Sequence, residues 1–164
     1  MKILETERLY LRTLENYDAM HLSYYRSKEE VKEFQSWDSF TIKDARKRIK
    51  ECKHIKKLNL VYSNYHLAIV SKTNDKLIGD LFVQVLSKDS FTLGYTLDSS
   101  YWNNGYAYEM ISAFLDYMKT LSFDRVICYV YNDNIRSIKL LKKLGFLLYE
   151  ISYYYGDCRY EKEL

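Results

Sequence analysis

The chain has 164 residues, of which 48% are hydrophobic and 29% charged, and its formal net charge is +3. That is the size of one ordinary domain, long enough to bury roughly two-thirds of the surface its unfolded chain exposes without a stapling disulfide or metal. No apolar stretch approaches the roughly 20 residues of a membrane helix, and no apolar run follows the first basic residue as a secretory signal requires, so a soluble, cytoplasmic protein without a membrane partner is expected.

Alternation at Arg8-Leu9-Tyr10-Leu11-Arg12 predicts the first strand, with Leu9 and Leu11 on one side. Helical patterns follow. Asp18 is placed to begin one helix, and Thr41, with Asp44 three residues on, forms a capping-box pattern for another that runs towards Ile55. The stretch from Lys43 to Lys57 is rich in lysine and arginine. Such a run binds phosphates when it is a nucleic-acid patch. On a helix it is more simply a solvated face, so no nucleic-acid partner is expected. The period then changes. Tyr65 to Val70, Leu77 to Leu86 and Phe91 to Leu97, the first two joined by the turn-prone Thr73-Asn74-Asp75-Lys76, predict three strands of an antiparallel meander.

After a loop from Asp98 to Asn104, Ala107, Met110, Ile111, Phe114, Leu115 and Met118 recur at helical spacing, and that helix is expected to end near Leu121. Arg125 to Tyr131 reads as a buried strand. Asn134 suits the N-cap of a second helix, lined by Ile138, Leu141 and Leu144 and ended by Gly145, after which Phe146 to Tyr155 resumes a strand. The fold class is α/β around a mixed sheet, in one domain spanning residues 1–164.

Cys52, Cys128 and Cys158 are an odd number without paired spacing, and His21, His54 and His66 are scattered, so reduced thiols and no metal are expected. Gly79 and Gly94 lie within strands, where a missing side chain signals a bulge or the close approach of another backbone or a ligand. Gly105 stands just before the long helix. The segment Tyr101-Trp102-Asn103-Asn104-Gly105-Tyr106-Ala107 holds the unpaired amides of that helix's first turn beside two small residues, Gly105 and Ala107, an arrangement that suits a pyrophosphate. On its own, a Gly-x-Ala before a helix is better explained by an ordinary helix start.

The surroundings carry more. Leu93-Gly94-Tyr95-Thr96-Leu97-Asp98, followed by Tyr101 to Ala107 and then Tyr108-Glu109, resembles the acetyl-CoA-binding strand, loop and helix of the GNAT acetyltransferase superfamily. It looks most like the RimJ/RimL branch, which acetylates ribosomal-protein N-termini, and like that branch's small-molecule relatives. Thr6-Glu7-Arg8-Leu9-Tyr10-Leu11-Arg12 is similar to the branch's opening strand. Asn132-Asp133-Asn134-Ile135-Arg136-Ser137, running to Lys143-Leu144-Gly145-Phe146, is similar to its second conserved block. The three segments stand in the family's order across nearly the whole chain.

The resemblance implies a mixed, mostly antiparallel sheet flanked by helices, in which the strand holding Tyr95 and the strand from Arg125 to Tyr131 splay apart to admit the thioester of acetyl-CoA. It implies that the amides of Asn103, Asn104, Gly105, Tyr106 and Ala107 bind the pyrophosphate. The backbone at Tyr95, Thr96 and Leu97 would pair with the pantetheine arm, and Asn134, besides capping its helix, would hydrogen-bond that arm. Ser137 would lie near the sulfur and protonate the departing thiolate. An oxyanion donor is expected from the strand of Tyr95 or Thr96. Trp102 is expected to pack rather than bind. The implied reaction is direct transfer of acetyl to a primary amine, on a protein N-terminus or a small molecule. Relatives are often dimers, so the resemblance also carries a homodimer, which no sequence feature decides.

Many members of this branch carry an acidic residue two positions before the Gly-Tyr pair, where this chain has Thr92, so the general base is left open. Asp80 and Glu109 are candidates, each with a plainer reading: an exposed strand residue for Asp80, a complement to the helix dipole for Glu109. Glu29, Glu30 and Glu33 either attract a cation or form a solvated helix face. A sensor or scaffold that binds acetyl-CoA without chemistry is the alternative; Thr92 favours it, and Asn134 and Ser137 oppose it.

Overall fold

The computed structural model describes residues 1–52 and 58–164. Leu9 and Leu11 are fully buried on a strand that begins at Leu9, as the two-residue period requires. In chain order the elements are β1 (Lys2–Glu5), β2 (Leu9–Thr13), α1 (Ala19–Arg26), α2 (Glu29–Lys32), α3 (Ile42–Cys52), β3 (Asn64–Ser71), β4 (Leu77–Val85), β5 (Ser90–Leu97), α4 (Tyr106–Thr120), β6 (Arg125–Tyr131), α5 (Ile135–Lys143), β7 (Leu147–Ser152) and β8 (Asp157–Glu163). The strands form one eight-stranded sheet in the order β1-β2-β3-β4-β5-β6-β8-β7. Every neighbouring pair is antiparallel except β5 and β6, which run parallel.

Helices cover the sheet on both faces. Met110, Ile111, Phe114, Leu115 and Met118 of α4 and Leu141 of α5 are buried in one cluster with Leu67, Leu81, Val83 and Leu93 of the sheet. Each large side chain so buried contributes about 1.5–3 kcal/mol. On the opposite face, Leu22 and Tyr25 of α1 and Ala45 and Ile49 of α3 pack on Ala68, Val70 and Leu77.

Two strands escape the sequence pattern. β1 is short and half exposed, and β8, with the sequence Asp-Cys-Arg-Tyr-Glu-Lys-Glu, is held by its seven-pair register with β6 rather than by apolar alternation. The expected strand from Phe146 to Tyr155 is instead β7 and a turn, closed by Gly156 at φ 68°. Asp18 stands at the N-cap position of α1 as expected, but its side chain does not bond the helix amides. A short 3-10 turn, Asn16–Asp18, precedes the helix, and the Asp18 carboxylate accepts from Arg12 at 2.6 and 2.8 Å and from the Glu15 amide at 2.7 Å. A buried carboxylate gains more from a bidentate guanidinium than from a neutral amide.

The Thr41–Asp44 capping box is present: the Thr41 amide donates to Asp44 at 2.8 Å and the Asp44 amide to Thr41 Oγ1 at 3.3 Å. Lys43, Arg46, Lys47 and Lys50 face solvent on α3 as the plainer reading of the basic run requires, while Arg48 turns inward. The rest of that run, with His54 and the expected helix end at Ile55, lies outside the described residues. Among the described residues no helix is long and apolar enough to cross a membrane, and no three His, Cys, Asp or Glu side chains group as a metal site.

Gly79 carries a bulge. The register passes from Ile69 opposite Gly79 to Val70 opposite Leu77, leaving Ile78 as the extra residue. A Cβ at Gly79 would lie 2.5 Å from the carbonyl oxygen of Thr96, so the close backbone approach is real. Gly94 differs: a Cβ there would meet only Phe82, at 3.8 Å.

Candidate active site

β5 and β6 pair only from Ser90 to Thr92 against Arg125 to Ile127. Beyond that point no strand among the described residues pairs with Leu93 to Leu97 on this side, and the sheet opens into two cavities that meet at the gap. The first is lined by Tyr95, Thr96, Leu97, Asn103, Gly105, Tyr106, Ala107, Asn134 and Ser137, with Trp102, Arg136 and Lys143 beside them and Glu30, Val31, Phe34 and Gln35 across.

At its floor the chain turns into α4 through two left-handed residues, Asn103 at φ 62° and Gly105 at φ 78°. The first amide of this turn to find a backbone acceptor is Glu109, at 3.0 Å from the Gly105 carbonyl; among the described residues the amides of Asn103 to Tyr108 have none. A row of free donors at the positive end of a 15-residue helix is suited to hold an anion. Trp102 packs as expected, its indole N–H donating to the Leu97 carbonyl at 3.0 Å and its ring lying 3.7 Å below the Arg136 guanidinium. Lys143 stands 4.5 Å over the ring of Tyr108. Two cations thus flank these donors. Asn104 is not part of the cavity wall; its side chain donates to the Trp102 carbonyl at 2.8 Å, and its own carbonyl accepts from Arg8 at 3.0 Å.

Neither proposed base reaches the gap. Glu109 accepts from the Thr6 hydroxyl at 2.6 Å, the Arg8 amide at 2.9 Å and Arg8 Nε at 2.7 Å. Burial pushes its pKa up, but these donors overcome it and hold the carboxyl below its ordinary value. It ties the entry of β2 to the first turn of α4. Asp80 is fully buried, not an exposed strand residue, and it faces α1 and α3. It accepts from Arg26 at 2.5 and 3.0 Å, from His66 Nε2 at 2.5 Å and from the Tyr25 hydroxyl. Burial raises its pKa, yet Arg26 and His66 hold it far below the carboxylate range. Burial likewise lowers the pKa of His66, so the ring is neutral, donating from Nε2 and accepting from Arg48 at Nδ1, 3.2 Å away. This is a structural network behind the sheet.

The second cavity has Phe82, Gln84, Thr92, Gly94, Tyr129, Tyr131 and Asp157 in its wall and shares Phe34, Gln35, Tyr95, Asn134 and Ser137 with the first. Thr92 therefore faces this second cavity. Asp157 is the carboxylate of this wall, set on β8 opposite Tyr131. Sequence reasoning missed it because β8 itself carried no strand signal. Ser137 occupies the first turn of α5; its amide donates to the capping Asn134 Oδ1 at 3.2 Å, and its Oγ lies 2.5 Å from the Tyr95 hydroxyl. Glu30, expected on a solvated face, accepts from Ser99 at 2.7 Å and lines the first cavity, while Glu29 pairs with Lys32 at 3.0 Å.

Parted parallel strands leading to a row of free amides fit a long acyl carrier that ends in a pyrophosphate, so fold and site together define a coenzyme-A-dependent acyltransferase. The profile of the Acetyltransferase (GNAT) domain matches residues 8–147. The chain belongs to that family and is an acetyl-CoA-dependent N-acetyltransferase, so the transferase reading stands over the sensor. A curated relative, the uncharacterized N-acetyltransferase p20 of Bacillus licheniformis, is 33% identical over 150 residues, covering 89% of this chain and 83% of its own. The crystal structure of a GNAT-family acetyltransferase from Bacillus anthracis superposes with a TM-score of 0.85 at 21% identity, covering 99% of this chain and 98% of the other. RimL, a ribosomal L7/L12 alpha-N-protein acetyltransferase solved in complex with coenzyme A, superposes at 0.83 with 17% identity, covering 100% and 98%.

Proposed function

We propose that this enzyme acetylates a primary amine that enters through the cavity walled by Phe82, Thr92, Tyr129, Tyr131 and Asp157, the acceptor being a protein N-terminus or a small molecule. The observation that carries the reading is that Ser137 stands in the wall of both cavities, at the point where β5 and β6 part. Its neighbourhood to RimL and to the ribosomal-protein-S5-alanine acetyltransferase of Vibrio fischeri, which superposes at 0.80 with 22% identity, supports the peptide N-terminus among the two acceptors.

Residue by residue, the amides of Asn103, Gly105, Tyr106 and Ala107 hold the pyrophosphate, Arg136 and Lys143 supply countercharge, and Asn104 shapes the loop. Asn134 spends its Oδ1 on the helix cap, which leaves its amide hydrogens for the pantetheine carbonyls beside the open edge at Tyr95 and Thr96. Leu97 shapes the wall while its carbonyl holds Trp102. When bound, acetyl-CoA supplies an activated acyl thioester. Asp157 accepts the proton the amine must shed, directly or through water; an α-amino group, with a pKa near 8, sheds it more readily than a lysine near 10.4. Ser137 Oγ holds the proton destined for the sulfur. A backbone amide of Tyr95 or Thr96 stabilises the charge on the acyl oxygen. The three buried, free cysteines are compatible with a reducing compartment and support a cytoplasmic location.

Calorimetric titration with acetyl-CoA, followed by turnover on peptide and small amines, tests the reading. Gly105→Trp is expected to abolish binding, since φ 78° strains any side chain and the indole would fill the cavity that Gly105 lines. Asp157→Asn is expected to lower kcat roughly 100-fold while leaving acetyl-CoA binding intact. Unchanged binding in the first variant, or an unchanged kcat in the second, refutes the corresponding assignment.

A further inference from the structure

Tyr95 lies three positions past the last β5–β6 pair. Its ring packs against the core beneath α4 and α5, and its hydroxyl comes 2.5 Å from Ser137 Oγ, nearer than the 3.5 Å to the Ser137 carbonyl. The Ser137 amide is held by Asn134 at the same time. Ser137 is thus fixed at its backbone by the cap and at its hydroxyl by the tyrosine.

Either oxygen can donate, but a phenol is a far stronger acid than an alkyl alcohol, so the stable arrangement has Tyr95 donating and Ser137 accepting. That arrangement leaves the hydrogen of Ser137 free to point into the gap. Burial raises the Tyr95 pKa well above its ordinary value, so the phenol keeps its proton at every working pH. With its hydrogen turned to Ser137 Oγ, the phenol acts on the serine rather than on the sulfur.

We propose that Tyr95 is a positioning residue for acetyl transfer: its hydroxyl donates to Ser137 Oγ, turns the Ser137 hydrogen toward the sulfur, and stabilises the negative charge that builds on Oγ as that hydrogen leaves. The inference rests on the reading of Ser137 as the acid. The C–N bond forms as the C–S bond breaks. The surplus amine proton goes to Asp157 or to solvent, the sulfur takes the Ser137 proton, and Ser137 is reprotonated from solvent. Tyr95 neither gains nor loses a proton.

The experiment is a double-mutant cycle with Tyr95→Phe, Ser137→Ala and the pair. Two quantities are read: kcat with KM for acetyl-CoA, and the ionisation of the thiol of bound coenzyme A, followed by the ultraviolet absorbance of its thiolate. Ser137→Ala is expected to lower kcat roughly 100-fold. Tyr95→Phe is expected to leave KM unchanged, to raise the bound thiol's pKa, and to lower kcat roughly five- to tenfold, the size of one hydrogen bond. In the Ser137→Ala background the same change is expected to alter neither quantity. An equal effect in both backgrounds, or loss of coenzyme A binding in Tyr95→Phe, means that the tyrosine only supports the fold and overturns the inference. A silent Tyr95→Phe beside a damaging Ser137→Ala overturns it and leaves Ser137 as the acid. A silent Ser137→Ala removes the acid itself, and the inference with it.

Discussion

Replacing Gly79 by alanine tests how the bulge on β4 sets the cofactor edge of β5. The new Cβ would lie 2.5 Å from the Thr96 carbonyl oxygen and 3.1 Å from Leu97 Cα, where ordinary contact begins at 3.4 Å. The first contact is about 0.9 Å too short, and its partner is backbone, which cannot rotate away. β5 must therefore move, and the residues it moves are Thr96 and Leu97 in the cofactor wall. Overpacking of this kind costs about 1–3 kcal/mol, which for a chain of this size lowers Tm by about 2–12 °C. A displacement near 1 Å beside the reacting groups costs up to about 100-fold in rate. The assay is thermal unfolding with and without acetyl-CoA, together with kcat/KM, on Gly79→Ala and on Gly94→Ala as control. Gly94 has only Phe82 within reach, at 3.8 Å, so its alanine variant is expected to keep its Tm within about 2 °C. A Gly79→Ala protein with wild-type Tm and rate, or a control that falls as far, refutes the reasoning.

Asp80→Asn is expected to destabilise by about 3–5 kcal/mol in chemical denaturation, because Arg26 is left buried without its partner. The network also predicts the pH dependence of wild-type stability. His66 and Asp80 both have folded pKa values below their ordinary 6.5 and 3.8, so the unfolded chain binds protons first as pH falls. Stability is therefore fully present above pH 6.5 and is lost in two stages, below 6.5 and below 3.8, and His66→Gln is expected to remove the first stage. Glu109→Gln is expected to lower Tm while leaving the pH profile of kcat unchanged; a lost limb in that profile restores Glu109 as a base. Arg136→Ala and Lys143→Ala are each expected to raise KM for acetyl-CoA roughly tenfold with little change in kcat, an effect that shrinks with added salt. A changed kcat at constant KM refutes their role as countercharge.

What could be read from the chain alone was local. The Thr41–Asp44 box and the Asn134 cap close within three residues, and the left-handed turn at Gly105 depends on one residue's freedom at φ 78°. The meander and α4 follow from period-two and period-3.6 burial, which a sequence displays directly. The family resemblance rested on these same segments, and so the strand, turn and helix that line the first cavity were legible.

The tertiary structure decided the chemistry of each ionisable or hydroxyl side chain. Arg26 and Asp80 meet across 54 positions, Tyr95 and Ser137 across 42, and Glu109 finds Thr6 across 103. Asp80 and Glu109 look alike as candidate bases in the sequence; one is sealed behind the sheet and the other is consumed by a tie to β2. Asp157 reaches the second cavity only because β8, a charged strand, takes its place from pairing with β6. Periodicity reports which face of an element is apolar, but not which polar groups other elements bring to it. Whether a carboxylate acts as a base depends on those groups, and they are set by sheet register and helix packing.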